Sequence, residues 1–241
     1  MSRMLGRWKI KLLDLFCGVG GASAGYVKAG FEVTGIDLKH GKRYPFTYIR
    51  GDVMALDIDF LQQFDVIHAS PPCQTYSITQ HLRNAQGKNT SKLDLLEPVR
   101  AMLIQSGKPY IIENVKGAPL LNPVQLCGSS FGLAVRRHRL FESNLPLMGS
   151  LCNHTVRPVG VYGSMRDEIP GGGKTAETIE QARQAMGIEW ALWGELVEAI
   201  PPAYTEFIGL QIMELLDKSY PQGLKTCGQH AEARLSYPQY G

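Results

Sequence analysis

The segment that most limits the fold is a strand running without pause into a glycine-rich turn. Ile10-Lys11-Leu12-Leu13-Asp14-Leu15-Phe16 reads as a buried strand, followed by Cys17-Gly18-Val19-Gly20-Gly21 and a helical segment from Ala22 to Lys28. Glycines at such a turn let the backbone approach a ligand closely and aim the helix N-terminus at it. Further strands are expected near 32–36, 47–50, 65–69, 110–113 and 138–142. A helix near 94–105 carries Leu95, Leu96, Val99, Met102 and Leu103 on one face. Strands alternating with helices argue for a parallel sheet covered on both sides, an α/β, doubly wound fold. A chain of 241 residues with 44% hydrophobic content can bury one such core and one small appended region.

The strand ends carry the polar residues. The second strand ends at Asp37, about 20 residues past the glycine turn, where an acid can hold ribose hydroxyls. The third runs into Gly51-Asp52-Val53, well placed to meet an adenine. Gly, Asp and Asp at successive strand ends form a nucleoside-binding edge. The dinucleotide spacing G-x-G-x-x-G is broken by Ser23, which disfavours NAD. The fourth strand, Asp65 to Ala69, stops in Ser70-Pro71-Pro72-Cys73-Gln74. Two prolines fix the backbone and hold Cys73 at the carboxyl end of a strand, where open α/β sheets bind ligands. On position alone Cys73 is equally a nucleophile or a structural thiol.

Four segments break that tie. Asp14-Leu15-Phe16-Cys17-Gly18-Val19-Gly20-Gly21, Ser70-Pro71-Pro72-Cys73-Gln74, Glu113-Asn114-Val115 and Arg137-His138-Arg139 resemble, in order and spacing, the motifs of DNA cytosine-5 methyltransferases. The resemblance spans about residues 10–143 and 195–212, and is greatest to the small phage-type members. It implies a Rossmann-like S-adenosylmethionine-dependent methyltransferase acting on a flipped-out cytosine in duplex DNA. Restriction-modification or phage origin and a monomeric state follow from the same resemblance.

The roles it implies are chemically coherent. Carbon 5 of cytosine is a poor nucleophile, and a thiolate added at carbon 6 makes it enamine-like; that role goes to Cys73. Glu113 meets ring nitrogen 3, and Arg137 and Arg139, expected to share one face of a strand, bind the cytosine carbonyl oxygen and order the catalytic loop. S-adenosylmethionine is the implied cofactor, packed by Phe16, passed closely by Gly18 and Gly20, held by Asp37, contacted by Asp52 and Val53, and bordered by Pro72. Residues 75–92, with Tyr76, Arg83, Lys88 and Lys92, read as a loop closing over the flipped base. The alternatives are the same chemistry on RNA, or a non-catalytic DNA-binding relative.

Some residues depart from the family pattern. Val135 stands where Gln is usual, Cys17 where Ala is usual, and Glu198 in Val197-Glu198-Ala199-Ile200-Pro201-Pro202 where Asn lies beside the donor. Gly171-Gly172-Gly173-Lys174-Thr175 ends like a phosphate loop, but the first glycine that motif needs would fall at Glu168. Cys152 and His154 with Cys227 and His230 lack paired zinc spacing, so no metal is expected.

The remaining features set the organisation. A catalytic unit over 1–144 is expected to precede a short, glycine-interrupted target-recognition region over 145–185, in which only Pro158 to Tyr162 resembles a strand. Helices over 186–217 return to the main core through Tyr204, Phe207, Ile208, Ile212 and Leu215, and the polar tail 218–241 is expected to pack poorly. The net charge of +3 is mild, and the basic cluster Lys39 to Arg43 reads as a solvated loop. No membrane-spanning stretch or secretory leader is evident, and five scattered cysteines suit a reducing cytoplasm.

Overall fold

A computed structural model of the chain describes residues 9–39, 41–72, 94–155, 157–163, 168–169 and 173–219. Seven strands form one mixed sheet: β1 (Lys11–Leu15), β2 (Glu32–Asp37), β3 (Thr47–Arg50), β4 (Val66–Ala69), β5 (Tyr110–Asn114), β6 (Val124–Leu126) and β7 (Arg139–Ser143). Their spatial order is β3-β2-β1-β4-β5-β7-β6. The first five are parallel, whereas β7 runs antiparallel to both β5 and β6. This is the Rossmann-like α/β arrangement expected from the sequence, with its order reversing between β1 and β4, the point where such sheets bind ligands.

Alternate strand residues explain why both faces are covered. Leu12, Val33, Val66 and Ile111 face one core, shared with Tyr26 and Ala29 of α1 (Gly21–Ala29) and with Tyr204, Ile208 and Ile212 of α6 (Pro202–Ser219). Leu13, Leu15, Ile36, Ile67 and Ile112 face the other, against Leu61 of α2 (Ile58–Leu61) and Leu96, Val99 and Leu103 of α3 (Leu96–Ser106). The C-terminal helix therefore returns to the main core. Its approach to α1 depends on Gly25, where a Cβ would lie 2.1 Å from Pro202 O and 2.1 Å from Thr205 Oγ1.

The interval after β7 holds more strand than the sequence suggested. β8 (Val159–Gly160), β9 (Glu168–Ile169) and β10 (Gly173–Thr175) make a second small sheet in the order β8-β10-β9. Strands this short carry almost no periodicity to read. Lys174 and Thr175 are themselves strand residues, so Gly-Lys-Thr here is not a phosphate loop. A third core joins this sheet to α4 (Ile179–Met186) and α5 (Trp193–Glu198) through Val161, Ala176, Ala182, Met186 and Leu196, and includes Val19 and Val135. Val135, at the position where Gln is usual, is thus a core residue, 2% exposed. Among the described residues no helix is long and apolar enough to cross a membrane.

Candidate active site

The carboxyl ends of β1 to β5 lie along one edge, and almost every described site residue is found there. β1 ends in a sharp turn: Phe16 and Gly18 have positive φ of 60° and 52°, and Gly20 one of 86°. A Cβ on Gly20 would press to 2.9 Å from the Tyr44 ring, whereas one on Gly18 would meet nothing within 4 Å. Gly18 therefore borders open space, and Gly20 is fixed by packing. At the end of β2, Asp37 accepts hydrogen bonds from the amides of Gly18 (3.0 Å) and Lys39 (2.9 Å), tying two strand ends together. Asp52 is exposed and caps the short helical turn Val53–Ala55 by accepting from Met54 N at 2.9 Å. Val53 is 1% exposed, in the same core cluster against which Phe16 packs.

An open glycine turn beside two carboxylates, one half-buried and one exposed, fits an adenosine-type ligand with its ribose near Asp37 and its base near Asp52. The basic loop Lys39–Arg43 is not merely solvated. Arg43 makes a two-pronged ion pair with Glu195 (2.9 and 2.7 Å), and Lys39 meets Glu198 at 3.4 Å. Glu198 thus meets the loop that follows β2 through an exposed ion pair. Trp190 Nε1 donates to Val19 O (2.8 Å), so the connection between α4 and α5 also clasps the glycine turn.

At β4 the polypeptide enters the proline turn. Pro71 is buried and Pro72 exposed. Asn114, from the end of β5, donates through Nδ2 to Pro71 O at 3.1 Å and so anchors the turn. Cys73 and residues 75–92, with Tyr76, Arg83, Lys88 and Lys92, lie outside the described residues. Beside Asn114, the Glu113 carboxyl is buried and meets Arg139 Nε at 3.0 Å. The reversal of β7 explains this pair. Because β7 is antiparallel, with Asn114 opposite Leu140, its first residue reaches the edge at which β5 ends.

Burial pushes the Glu113 carboxyl above its ordinary range; Arg139, Arg137 and a hydrogen bond from Ser70 pull the other way. Ser70 belongs to a network. Tyr26 Oη lies 3.0 Å from His68 Nδ1, and His68 Nε2 lies 2.9 Å from Ser70 Oγ. Burial drives the His68 pKa down to about 3, so the ring is neutral. With Ser70 donating to Glu113, His68 must carry its proton on Nε2 and accept from Tyr26 on Nδ1. A buried relay of hydrogen bonds thereby orients the acid that the sequence singled out.

Arg137 corrects the sequence expectation. It precedes β7 with a positive φ of 31° rather than alternating with Arg139 on one strand face. Its side chain is fully buried, donating to Val161 O (3.1 Å) and to Val197 O. Its guanidinium carbon lies 5.4 Å from the Tyr162 ring centroid, and burial lowers its pKa to about 10. Arg139 belongs to the Glu113 edge, while Arg137 ties that edge to the small sheet and α5.

The sequence did not single out Ser70, His68 or Tyr26 as a relay, since a lone histidine in a strand carries no signature. Nor did it pair Arg100 with Glu142, whose buried side chains meet at 2.8 Å.

The family model for C-5 cytosine-specific DNA methylases matches residues 10–123. The Neisseria gonorrhoeae type II methyltransferase M.NgoPII is 31% identical over 119 residues, covering 45% of this chain and 34% of the relative. The Fusobacterium nucleatum type II methyltransferase M.FnuDI is 33% identical over 117 residues, covering 45% and 33%. The chain thus spans about a third of the length of these curated relatives. Among solved structures, one described as a prophage-encoded DNA modification methyltransferase of E. coli aligns with a TM-score of 0.61 at 14% identity, covering 87% of this chain and 100% of that one. The S. pombe Dnmt2 methyltransferase aligns at 0.57 and 13%, covering 87% and 100%. At those identities the likeness is one of fold.

Proposed function

We propose that the chain, whose residues 10–123 match the C-5 cytosine-specific DNA methylase family, methylates carbon 5 of a flipped-out cytosine in duplex DNA through a covalent bond from Cys73 to carbon 6. The observation that carries this reading is the buried Glu113 carboxyl, held by Arg139 and Ser70 beside the Asn114–Pro71 clamp that precedes Cys73.

The family is S-adenosylmethionine-dependent, and that donor supplies a methyl group on a sulfonium. Asp37 holds the ribose of the donor, and Asp52 with the Val53 backbone faces its adenine. The open side of Gly18 gives the donor room, with Phe16, Gly20 and Pro72 lining its surroundings. Cytosine enters the pocket after flipping, at a cost of a few kcal/mol offset by phosphate and pocket contacts. The Cys73 thiolate adds to carbon 6, and the electron pair moves toward nitrogen 3. Glu113, whose burial favours its protonated form, donates a hydrogen bond there and stabilises the developing charge. Arg139 orients Glu113 and faces the cytosine carbonyl oxygen; Arg137 orders the same edge from beneath. The enamine-like carbon 5 would then take the methyl group as the donor's sulfur–methyl bond broke, and loss of the carbon 5 proton to a solvent base with elimination of the Cys73 thiolate would restore the aromatic ring.

Residues 145–185, including the small sheet, serve as a compact target-recognition region appended to the catalytic unit 1–144, and 186–217 close back over it. Incubation with unmethylated duplex DNA and S-adenosylmethionine, followed by nucleoside mass spectrometry, tests the proposal. The expected gain is 5-methylcytosine, absent with Cys73→Ala. Product on RNA alone would transfer the chemistry to another acceptor, and donor binding without any product would leave a non-catalytic DNA-binding relative.

A further inference from the structure

Away from the methylation edge, four side chains with metal-binding atoms converge. Cys127 follows β6, His138 precedes β7, and Cys152 and His154 lie in the irregular segment beyond β7. Their ligand atoms all fall within 4.8 Å of one another. The sequence offered Cys152 and His154 as a pair but matched them with Cys227 and His230, which lie outside the described residues. In the structure the partners are Cys127 and His138, which are distant in sequence and joined only by the β6–β7 hairpin.

We propose that Cys127, His138, Cys152 and His154 form a structural zinc site that pins the segment after β7 to the β6–β7 hairpin. Two sulfurs and two imidazole nitrogens make a donor set of the kind zinc takes in closed tetrahedral sites. Zinc–sulfur bonds of about 2.3 Å and zinc–nitrogen bonds of about 2.0–2.1 Å put neighbouring S and N ligands about 3.6 Å apart. Cys127 Sγ lies 3.4 Å from His154 Nε2, and His138 Nε2 lies 3.3 Å from Cys152 Sγ. Separate thiol–imidazole hydrogen bonds account for each distance alone, but not for all four atoms gathering within 4.8 Å of one another.

The surroundings support the same assignment. Ser129 Oγ is 3.0 Å from Cys127 Sγ, and Gln125 Nε2 approaches Cys152 Sγ at 3.6 Å, giving both sulfurs the outer hydrogen bonds common around ligated cysteines. The incoming segment is also tied down by Ser150 N to Gln125 O (3.0 Å) and Asn153 N to Ser129 Oγ (3.1 Å). With four protein ligands no position is left for substrate, so the role is structural. Binding displaces the two thiol protons to solvent and leaves both histidines neutral. Because His138 stands between Arg137 and Arg139, the metal also fixes the start of β7, from which Arg139 reaches Glu113.

Metal content of the full chain, purified without a metal-chelating tag and under reducing conditions, tests this apart from any methylation assay. The expected result is one zinc per chain by plasma mass spectrometry. Exchange for cobalt should give the intense visible bands of tetrahedral cobalt with sulfur charge transfer. Cys152→Ser and His154→Asn, both at exposed positions, should lose the zinc and those bands while circular dichroism confirms a folded chain. Cys227→Ser with His230→Gln should keep them. A folded wild type that takes up neither zinc nor cobalt, or one holding a Cys127–Cys152 disulfide instead, would overturn the site. Loss of zinc in the Cys227/His230 variant with retention in Cys152→Ser would overturn the ligand set.

Discussion

Glu113 shows how a few neighbours set the chemistry of one side chain. Burial alone raises its pKa, and the ion pair with Arg139 opposes that shift. Glu113→Gln keeps the shape and removes the acid, so kcat should fall about 10²- to 10⁴-fold with donor binding intact, as measured by rapid-quench methylation and calorimetry. Two further buried groups respond oppositely to pH. Asp14 accepts from Ser23 and, through burial, has its pKa pushed up from 3.8 to about 7. The folded chain therefore holds a proton that the unfolded chain gives up first, and this contribution to stability falls as pH rises from about 4 to 7. For His68, with a folded value of about 3 against 6.5 ordinarily, the unfolded chain binds the proton first, so stability falls as pH drops from 6.5 toward 3. Denaturation of Asp14→Asn across pH 4 to 7 should gain stability relative to wild type as pH rises, and His68→Gln should show the opposite trend relative to wild type. The sequence singled out Cys73 and Glu113 because each sits in a motif with neighbours in register. Ser70, His68 and Tyr26 were not, because their link is made across strands.

Strands and helices explain which expectations held. β1, β4 and β5 are almost wholly buried and α3 carries Leu96, Val99 and Leu103 on one buried face, so their pattern was readable. β6, β9 and β10 have two or three residues each and left no period to detect. The misreading of Arg137 has the same root: a residue with positive φ just before β7 breaks the alternation assumed for the pair. Two elements depend on single residues. Arg100 of α3 binds Glu142 of β7 through paired hydrogen bonds of 2.8 Å, and also Pro119 O at 2.9 Å. Arg100→Ala leaves the buried Glu142 carboxylate with the Leu121 amide but no counter-charge, and should cost about 3–5 kcal/mol in urea denaturation. Gly25→Ala forces α1 from α6, and about 1–3 kcal/mol of destabilisation is expected by the same measurement.

For the molecule entire, the fold brings residues separated by more than a hundred positions to one edge. Arg43 and Lys39 meet Glu195 and Glu198, and Trp190 meets Val19, so the glycine turn, the end of β2 and the returning helices form one clasp. Only the closing helix was foreseeable, from its apolar stripe; the ion pairs were not, since charge complementarity across that distance has no sequence period. The modest net charge of +3 gives the proposed DNA complex little long-range attraction beyond its local basic residues. DNA affinity should accordingly fall with salt along a shallow log–log line, at about 0.9 per phosphate contacted, when followed by fluorescence anisotropy. The covalent role proposed for Cys73 is open to direct capture. Duplex DNA carrying 5-fluorocytosine has no proton to lose from carbon 5, so an enzyme that attacks carbon 6 becomes trapped after methyl transfer. With S-adenosylmethionine present, the wild-type chain should yield a complex that survives denaturing electrophoresis, with the peptide containing Cys73 bonded to the base. Active protein that forms no such complex, or Cys73→Ala that still methylates cytosine, would show that the reaction does not run through this thiol.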